Sequence, residues 1–445
     1  MKLIKLSKIA DVITGFPFKG ELYSDVGIRT VRGENVTEGS LRWDTIKCWN
    51  QKFDKQSHYL LQNNDVVIGM DGSKVGKNKA RIKSGDLPLL LAQRVACVRA
   101  KNGNDQIFLY YLINNPRFEE YVFKTQTGSS VPHISKTQIE DFKVVDFDPK
   151  TQHKIANVLS ALDDKIELNN KINAELEAMA KTRYDYWFVQ FDFPNAEGKP
   201  YKSSGGEMVY NEVLKREIPK GWEVKSLEQC LENIIDYRGK TPKKLGGDWS
   251  ENRNDIIALS AKHVKKGKLV NLDDANRLDE NLYKLWMKQP LREGDILLTS
   301  EAPCGEFFYM IGNTKYCLSQ RLFALRADAL IIKHSVLYYE LSSGTGYSQI
   351  LGKVSGSTVF GIRQDELRTV NIQVPSSETQ NAFHEFVMPI YKKIRNNDYQ
   401  NQELAALRDW LLPMLMNGQV KVSEVYKEVE EKLAMVAEGE VAYEK

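Results

Sequence analysis

QHKIANVLSALDDKIELNNKINAELEAMAKTRYDYWF, running from Gln152 to Phe188, contains neither Gly nor Pro. That is about ten helical turns without a breaker, where an ordinary globular helix has ~11 residues. Apolar residues fall in steps of three and four at Ile155, Leu159, Leu162 and Ile166, then resume at Leu176, Ala180 and Trp187. The spacing predicts one long helix with a coiled-coil seam. Asn169 and Asn173 interrupt that seam in its middle.

A second stretch, Gln380 to Met416, repeats the pattern with Phe383, Val387, Ile390, Ile394, Asn397, Asn401, Leu404, Leu411 and Leu415. A shift of 228 positions superposes the two seams, asparagines included. A polar residue inside a seam costs stability but fixes register and partner. If the helices pair antiparallel, Asn169 meets Asn401 and Asn173 meets Asn397.

The same shift returns elsewhere in the chain. FLYYLINN at Phe108 matches VLYYELSS at Val336, and GSSV at Gly128 matches GSTV at Gly356. IRTVRGENV at Ile28 resembles IIALSAKHV at Ile256, which equates Asn35 with His263. With a shift of 227, LAQRVACVRA at Leu91 matches LSQRLFALRA at Leu318. The chain therefore reads as two copies of one unit, each a globular domain followed by a long helix.

The expected boundaries follow. Residues 1–150 are the first globular domain and 151–192 the first long helix. The polar stretch 193–217, with Gly and Pro, reads as a linker. The second domain takes 218–376 and the second helix 377–418, ending at a plausible glycine stop, Gly418. Residues 419–445 read as an acidic amphipathic helix with Val425, Val429, Leu433 and Val436 on one side, free to dock on a partner or on the body of the chain. Within each globular domain, short β-branched runs such as VVIGM and ILLTS are separated by Gly-rich turns. The fold class expected is α+β: two similar mixed α/β domains separated by two long helices in an antiparallel coiled coil, with pseudo-twofold internal symmetry.

The 445 residues carry a net charge of only +3, so any affinity for nucleic acid must come from local patches. Five scattered cysteines with no CxxC pair point to a reducing compartment and away from a zinc ribbon. The N-terminus lacks the apolar core of a signal peptide, and no apolar run approaches ~18 residues, so a cytoplasmic protein without membrane contact is expected.

Motifs for chemistry are missing. GMDGSKVGKN at Gly69 departs from the phosphate-loop pattern at Asp71 and Asn78. The six histidines show no metal-ligand spacing, and there is no GxSxG elbow, amino-methyltransferase motif or glycine-rich nucleotide fingerprint. The chain is expected to catalyse nothing and to bind no metal or cofactor itself.

What it offers is groups suited to DNA. In the first domain these are Arg32, Asn35, Lys74, Lys77, Asn78, Lys79, Arg81, Gln93, Arg94, Ser129, Ser130 and His133. In the second they are Arg238, Lys240, Lys243, Lys262, His263, Lys265, Gln320, Arg321, Ser357 and Thr358. Lysines and arginines neutralise phosphates, whereas interspersed Asn, Gln, His and Arg can read base edges. Taken singly, each lysine reads better as part of a solvated surface; as clusters in both copies beside Gly-rich loops, they favour binding. The repeated Gln-Arg pair has two readings that the sequence leaves open, a DNA contact or an arginine clamping its own loop.

Two such domains, each followed by a helix with the LDDKIELNNKINAELEAMAKTRYDYWF signature, resemble the specificity subunit of type I restriction-modification systems. GSSVPHIS and its partner GSTVFGIR belong to the same resemblance, which covers the chain to about residue 420. The copies differ where Trp187-Phe188 becomes Leu415-Met416 and Leu176-Glu177 becomes Leu404-Ala405. The resemblance implies that each globular domain is a target recognition domain holding half of a split site in double-stranded DNA. It implies helices that set the spacing and dock two methyltransferase subunits, which use S-adenosylmethionine to methylate adenine N6. A restriction and translocation subunit using ATP and Mg would join them for cleavage. Other readings are the recognition subunit of a methylation-only or type II-like assembly, a coiled-coil scaffold that never touches DNA, and a methyltransferase of unusual sequence.

Overall fold

The computed structural model describes residues 2–54, 56–128, 130–301, 303–355 and 360–438. The chain divides into two units, Met1–Asn170 with Asp398–Lys445, and Lys171–Asn397. Each unit therefore contains a globular domain and one half of each long helix, Pro149–Tyr184 and Ser377–Met416.

The first unit is built on the strand Val66–Gly69, buried at every position. Strands covered on both faces read as continuous apolar runs, which is why VVIG shows no alternation. It lies between Val95–Ala100 and Lys79–Arg81, with Ala10–Thr14 on the outer side of Val95–Ala100, all antiparallel. Ile28–Val31 pairs parallel with Leu89–Leu91 and antiparallel with Cys48–Trp49 in a second, three-stranded sheet. The period of two along a strand sends Val66 and Ile68 to one core and Val67 to another. The first core holds Phe108, Leu109 and Phe118 from the helices Gln106–Ile113 and Pro116–Thr125. Asp105 and Asn115 cap those helices by accepting the amides of Phe108 and Arg117.

Both chain halves complete that core. Ile155, Leu159 and Leu162 of the first long helix share it with Leu404, Leu411 and Leu415 of the second. Asn169 Nδ2 donates to Asn401 Oδ1 at 3.0 Å, the pair called for by an antiparallel register. The closing helix Val422–Glu438 lays Val422, Val425 and Val429 into the same core, with Leu433 partly buried, so the tail docks on the body of the chain. Val436, the fourth residue of the expected stripe, lies outside the described side chains.

The second unit repeats the plan. Ile296–Thr299 lies between Leu322–Ala327 and Phe307–Tyr309, with Leu231–Asp236 outermost, and Ile256–Leu259 pairs parallel with Tyr316–Leu318. Ile296 and Leu298 face a core with Leu337, Phe383, Val387, Tyr184 and Phe188, whereas Leu297 faces Ala258, Leu259 and Leu318. Asn397 Nδ2 donates to Asn173 Oδ1 at 2.7 Å. The first long helix closes in a π-turn, Asp185–Val189.

The stretch 193–217, expected as a polar linker, is folded onto this unit. Phe193 stacks between Tyr201 and Trp222 at 4.7 and 5.3 Å, and Met208–Asn211 pairs with Arg216–Pro219. Its polar average concealed aromatic residues spaced to reach a common core. Among the described residues no helix is long and apolar enough to cross a membrane.

Candidate nucleic-acid interface

In the first unit the chain crosses from the three-stranded to the four-stranded sheet within Ala92–Arg94. Ala92 N donates to Val31 O at 3.0 Å, Gln93 N to Phe16 O at 2.8 Å, and Arg94 O accepts from Met70 N at 2.9 Å. Gly15 lies so close that a Cβ there would stand 1.9 Å from the Ala92 carbonyl oxygen, which is why glycine is needed at that position. Passing between two sheets in so few residues forces Arg94 into the left-handed region, with φ +68°. A non-glycine residue pays about 1–2 kcal/mol for that conformation. The side chain is 66% exposed, and its guanidinium donates to Asp71 Oδ2 at 2.6 Å.

This corner walls an open cleft of about 480 Å³ whose other walls include Phe18, Tyr23, Arg32, Glu34 and Asp71. Arg32 pairs with Glu34 at 3.1 Å and lies over the Tyr23 ring at 5.5 Å. Burial, the largest influence there, raises the pKa of the Tyr23 phenol. The cleft thus brings together Arg32, Gln93 and Arg94, and adds Asp71, a residue outside the expected DNA contacts.

The second unit builds the same corner. Ser319 N donates to Leu259 O at 2.8 Å and Ser300 N to Arg321 O at 2.9 Å. Arg321 has φ +63°. Its Nε lies 3.9 Å from Glu301, and the side chain is 49% exposed.

The arginine five positions on in each copy makes a two-pronged clamp. Arg99 donates through Nε and a terminal nitrogen to buried Asp65 at 2.9 and 2.6 Å. Arg326 does the same to buried Asp295 at 2.8 and 2.7 Å. Each carboxylate also accepts the amide of a nearby turn, Gln62 N at 2.7 Å and Arg292 N at 2.9 Å. These pairs tie strands to turns through two bonds from a largely buried guanidinium, whereas Arg94 reaches Asp71 through one bond and Arg321 stands 3.9 Å from Glu301, both with exposed guanidinium groups.

Several expected DNA contacts are engaged by partners within the fold, Asn35, His263 and Lys79 buried and Arg238 and Lys240 half-buried. Asn35 is buried, accepting from Arg32 N at 3.0 Å and donating to the carbonyls of Arg42 and Thr45 at 3.0 and 3.2 Å. His263, its counterpart, is also buried and accepts from Ser260 N at 3.0 Å through Nδ1. Burial lowers the pKa of that imidazole to about 4. Both residues close a turn of the same shape, with the side chain accepting the amide three residues before it. Lys79 is buried against the Phe118 ring and bonds Glu119 at 2.7 Å, and burial pulls its pKa down. In the second unit Arg238 is bound to Asp236 by two bonds of 2.9 Å, and the Lys240 ammonium donates to Trp286 O at 2.6 Å. Sequence alone gives charge and not depth, so these could not be separated from surface cations.

Other expected residues stand at the surface. Lys77, Gln93, Ser130, His133, Lys243, Lys262, Lys265 and Gln320 are exposed. Lys74 is exposed too, paired with Glu38 at 2.8 Å, and Arg81 is half-buried over the Tyr110 ring at 5.1 Å. Asn78 is half-buried, and its carbonyl accepts from Gly69 N at 2.9 Å. Ser129, Ser357 and Thr358 lie outside the described residues.

The pattern described as the type I restriction modification DNA specificity domain matches residues 1–178 and 219–406. The chain is similar to the type I restriction enzyme MjaIX specificity subunit of Methanocaldococcus jannaschii, with 30% identity over 396 residues, 88% of this chain and 84% of that protein. It is similar to the type I restriction enzyme HindI specificity subunit of Haemophilus influenzae, with 24% identity over 363 residues, 70% of this chain and 77% of that protein. A crystal structure of the type I restriction-modification system S subunit from M. genitalium shares the fold, with a TM-score of 0.56 at 15% identity over 93% of this chain and 96% of that one.

Proposed function

Since the chain belongs to the type I restriction modification DNA specificity family, we propose that it reads a split DNA target, one half-site per globular domain. The observation that carries this reading is the duplication itself: each family domain presents the same exposed Gln-Arg pair on a left-handed backbone corner. Exposed Lys74 and Lys77 in the first domain, and Lys243, Lys262 and Lys265 in the second, supply phosphate contacts that position each domain without selecting sequence.

The two long helices pair as an antiparallel coiled coil whose register the asparagine pairs fix, and they hold the domains at the spacing of the half-sites. They dock two methyltransferase subunits, which use S-adenosylmethionine to methylate adenine N6. A restriction and translocation subunit uses ATP and Mg to cut unmodified DNA in the cytoplasm. This chain contributes recognition and no chemistry.

The test is methylation mapping in cells that carry the chain with its methyltransferase partners. A two-part motif with a fixed unspecified spacer, lost when this chain is deleted, is expected. A contiguous motif, or methylation that persists without the chain, would overturn the reading.

A further inference from the structure

Resting on the DNA-reading role above, we propose that Arg94 reads a guanine edge through a two-pronged contact, and that Asp71 is the positioning residue that aims it. The backbone supports this first. Arg94 is anchored by bonds from Gln93 N to Phe16 O and from Met70 N to Arg94 O, at 2.8 and 2.9 Å, so strands and not a free loop set its direction. A site carried on rigid elements loses less order on binding. Glycine would adopt φ +68° without cost, yet both copies place an arginine at this corner.

At 66% exposed, Arg94 holds no fold contact comparable with that of Arg99, whose buried partner already performs the clamp. Asp71 is 21% exposed, but with the guanidinium in solvent the pair is screened and contributes less to stability than a buried one. The Arg94–Asp71 pair is thus free to serve binding.

Charge decides between phosphate and base. In the cleft the two cations Arg32 and Arg94 face the two anions Glu34 and Asp71, which leaves its wall formally neutral. A carboxylate 2.6 Å from the guanidinium repels a phosphate and offsets the charge that would attract one. It also restrains a side chain that otherwise loses about 2 kcal/mol of rotamer freedom on binding. A guanine edge carries no net charge and presents two acceptors that match the guanidinium fork. Phe18 and the ring of Tyr23 give the cleft an aromatic side on which a base can pack.

The experiment uses the full chain assembled with its methyltransferase subunits, on a DNA library randomised across the target, with methylated molecules sequenced. Arg94→Ala should relax preference at a single G·C pair in one half-site by about 5- to 150-fold, leave the other half-site intact and leave the melting temperature unchanged. Arg94→Lys should fail to restore it, because a point charge lacks the fork. Asp71→Asn should relax the same base pair to a smaller extent. A uniform loss over all sequences with a shallower salt dependence would make Arg94 a phosphate contact and overturn the proposal. So would an unchanged motif, or a falling melting temperature. If the unaltered complex showed no two-part motif, the DNA-reading role would fail instead, so the two failures are distinguishable.

Discussion

Arg99 and Arg326 each engage a buried aspartate through two nitrogens, and removing either leaves a carboxylate stranded away from water. Breaking such a pair costs about 3–5 kcal/mol. Arg99→Ala and Arg326→Ala should therefore lower the denaturant midpoint of their own units, whereas Arg94→Ala should stay within about 0.5 kcal/mol of the parent. Chemical denaturation of the three variants checks this, and a loss for Arg94→Ala equal to that of Arg99→Ala would contradict it. His263 makes a pH prediction at the same scale. Its folded pKa of about 4 lies below its ordinary value of 6.5, so the unfolded chain binds the proton more readily. The stability this gives is complete above pH 6.5 and is lost as pH falls from there towards about 4. His263→Asn installs the residue that closes the equivalent turn in the first domain, where Asn35 accepts the Arg32 amide. That variant should be less sensitive to acid than the parent across the same window, as read by melting temperature against pH.

The elements show how apolar pattern becomes architecture. VVIG and ILLT are buried at every position because each lies between a helix-backed core and a small second sheet. The long helices owe their seam to the same cause: Leu159 and Leu411 in one unit, Phe383 and Ile390 in the other, are core residues of the globular domains as well. The closing helix follows suit, with Val422, Val425 and Val429 buried and Lys432 paired with Glu403 at 3.1 Å. Burying a valine stabilises by about 1.5–3 kcal/mol. Ending the chain after Gly418 should accordingly loosen the first unit by several kcal/mol and leave the second unaltered. Hydrogen exchange at Phe108 and Leu109, compared with Leu337 and Leu341, reports the difference. Equal protection in both units would show that the tail adds nothing.

For the whole molecule, duplication implies that the readers act separately. Replacing residues 1–150 with a homologous domain should change one half-site and leave the other as it was, as methylation mapping would show; a change in both halves would end the independent-reader account. The graft must also fit Leu404, Leu411, Leu415 and the tail valines, because the first unit is closed by the far end of the chain. The sequence by itself determined the repeat, the two long helices, the asparagine pairs and the families of charged residues, since periodicity and internal similarity are properties of linear order. The folded tail valines and the packed aromatics of 193–217 required tertiary structure, because their partners lie far away in sequence. So did the fates of the cations. QRVACVR and QRLFALR each offer two arginines of identical chemistry, and only the sheets decide which meets a buried aspartate and which is turned outward at positive φ. Depth and backbone conformation arise from long-range packing, which local sequence does not encode.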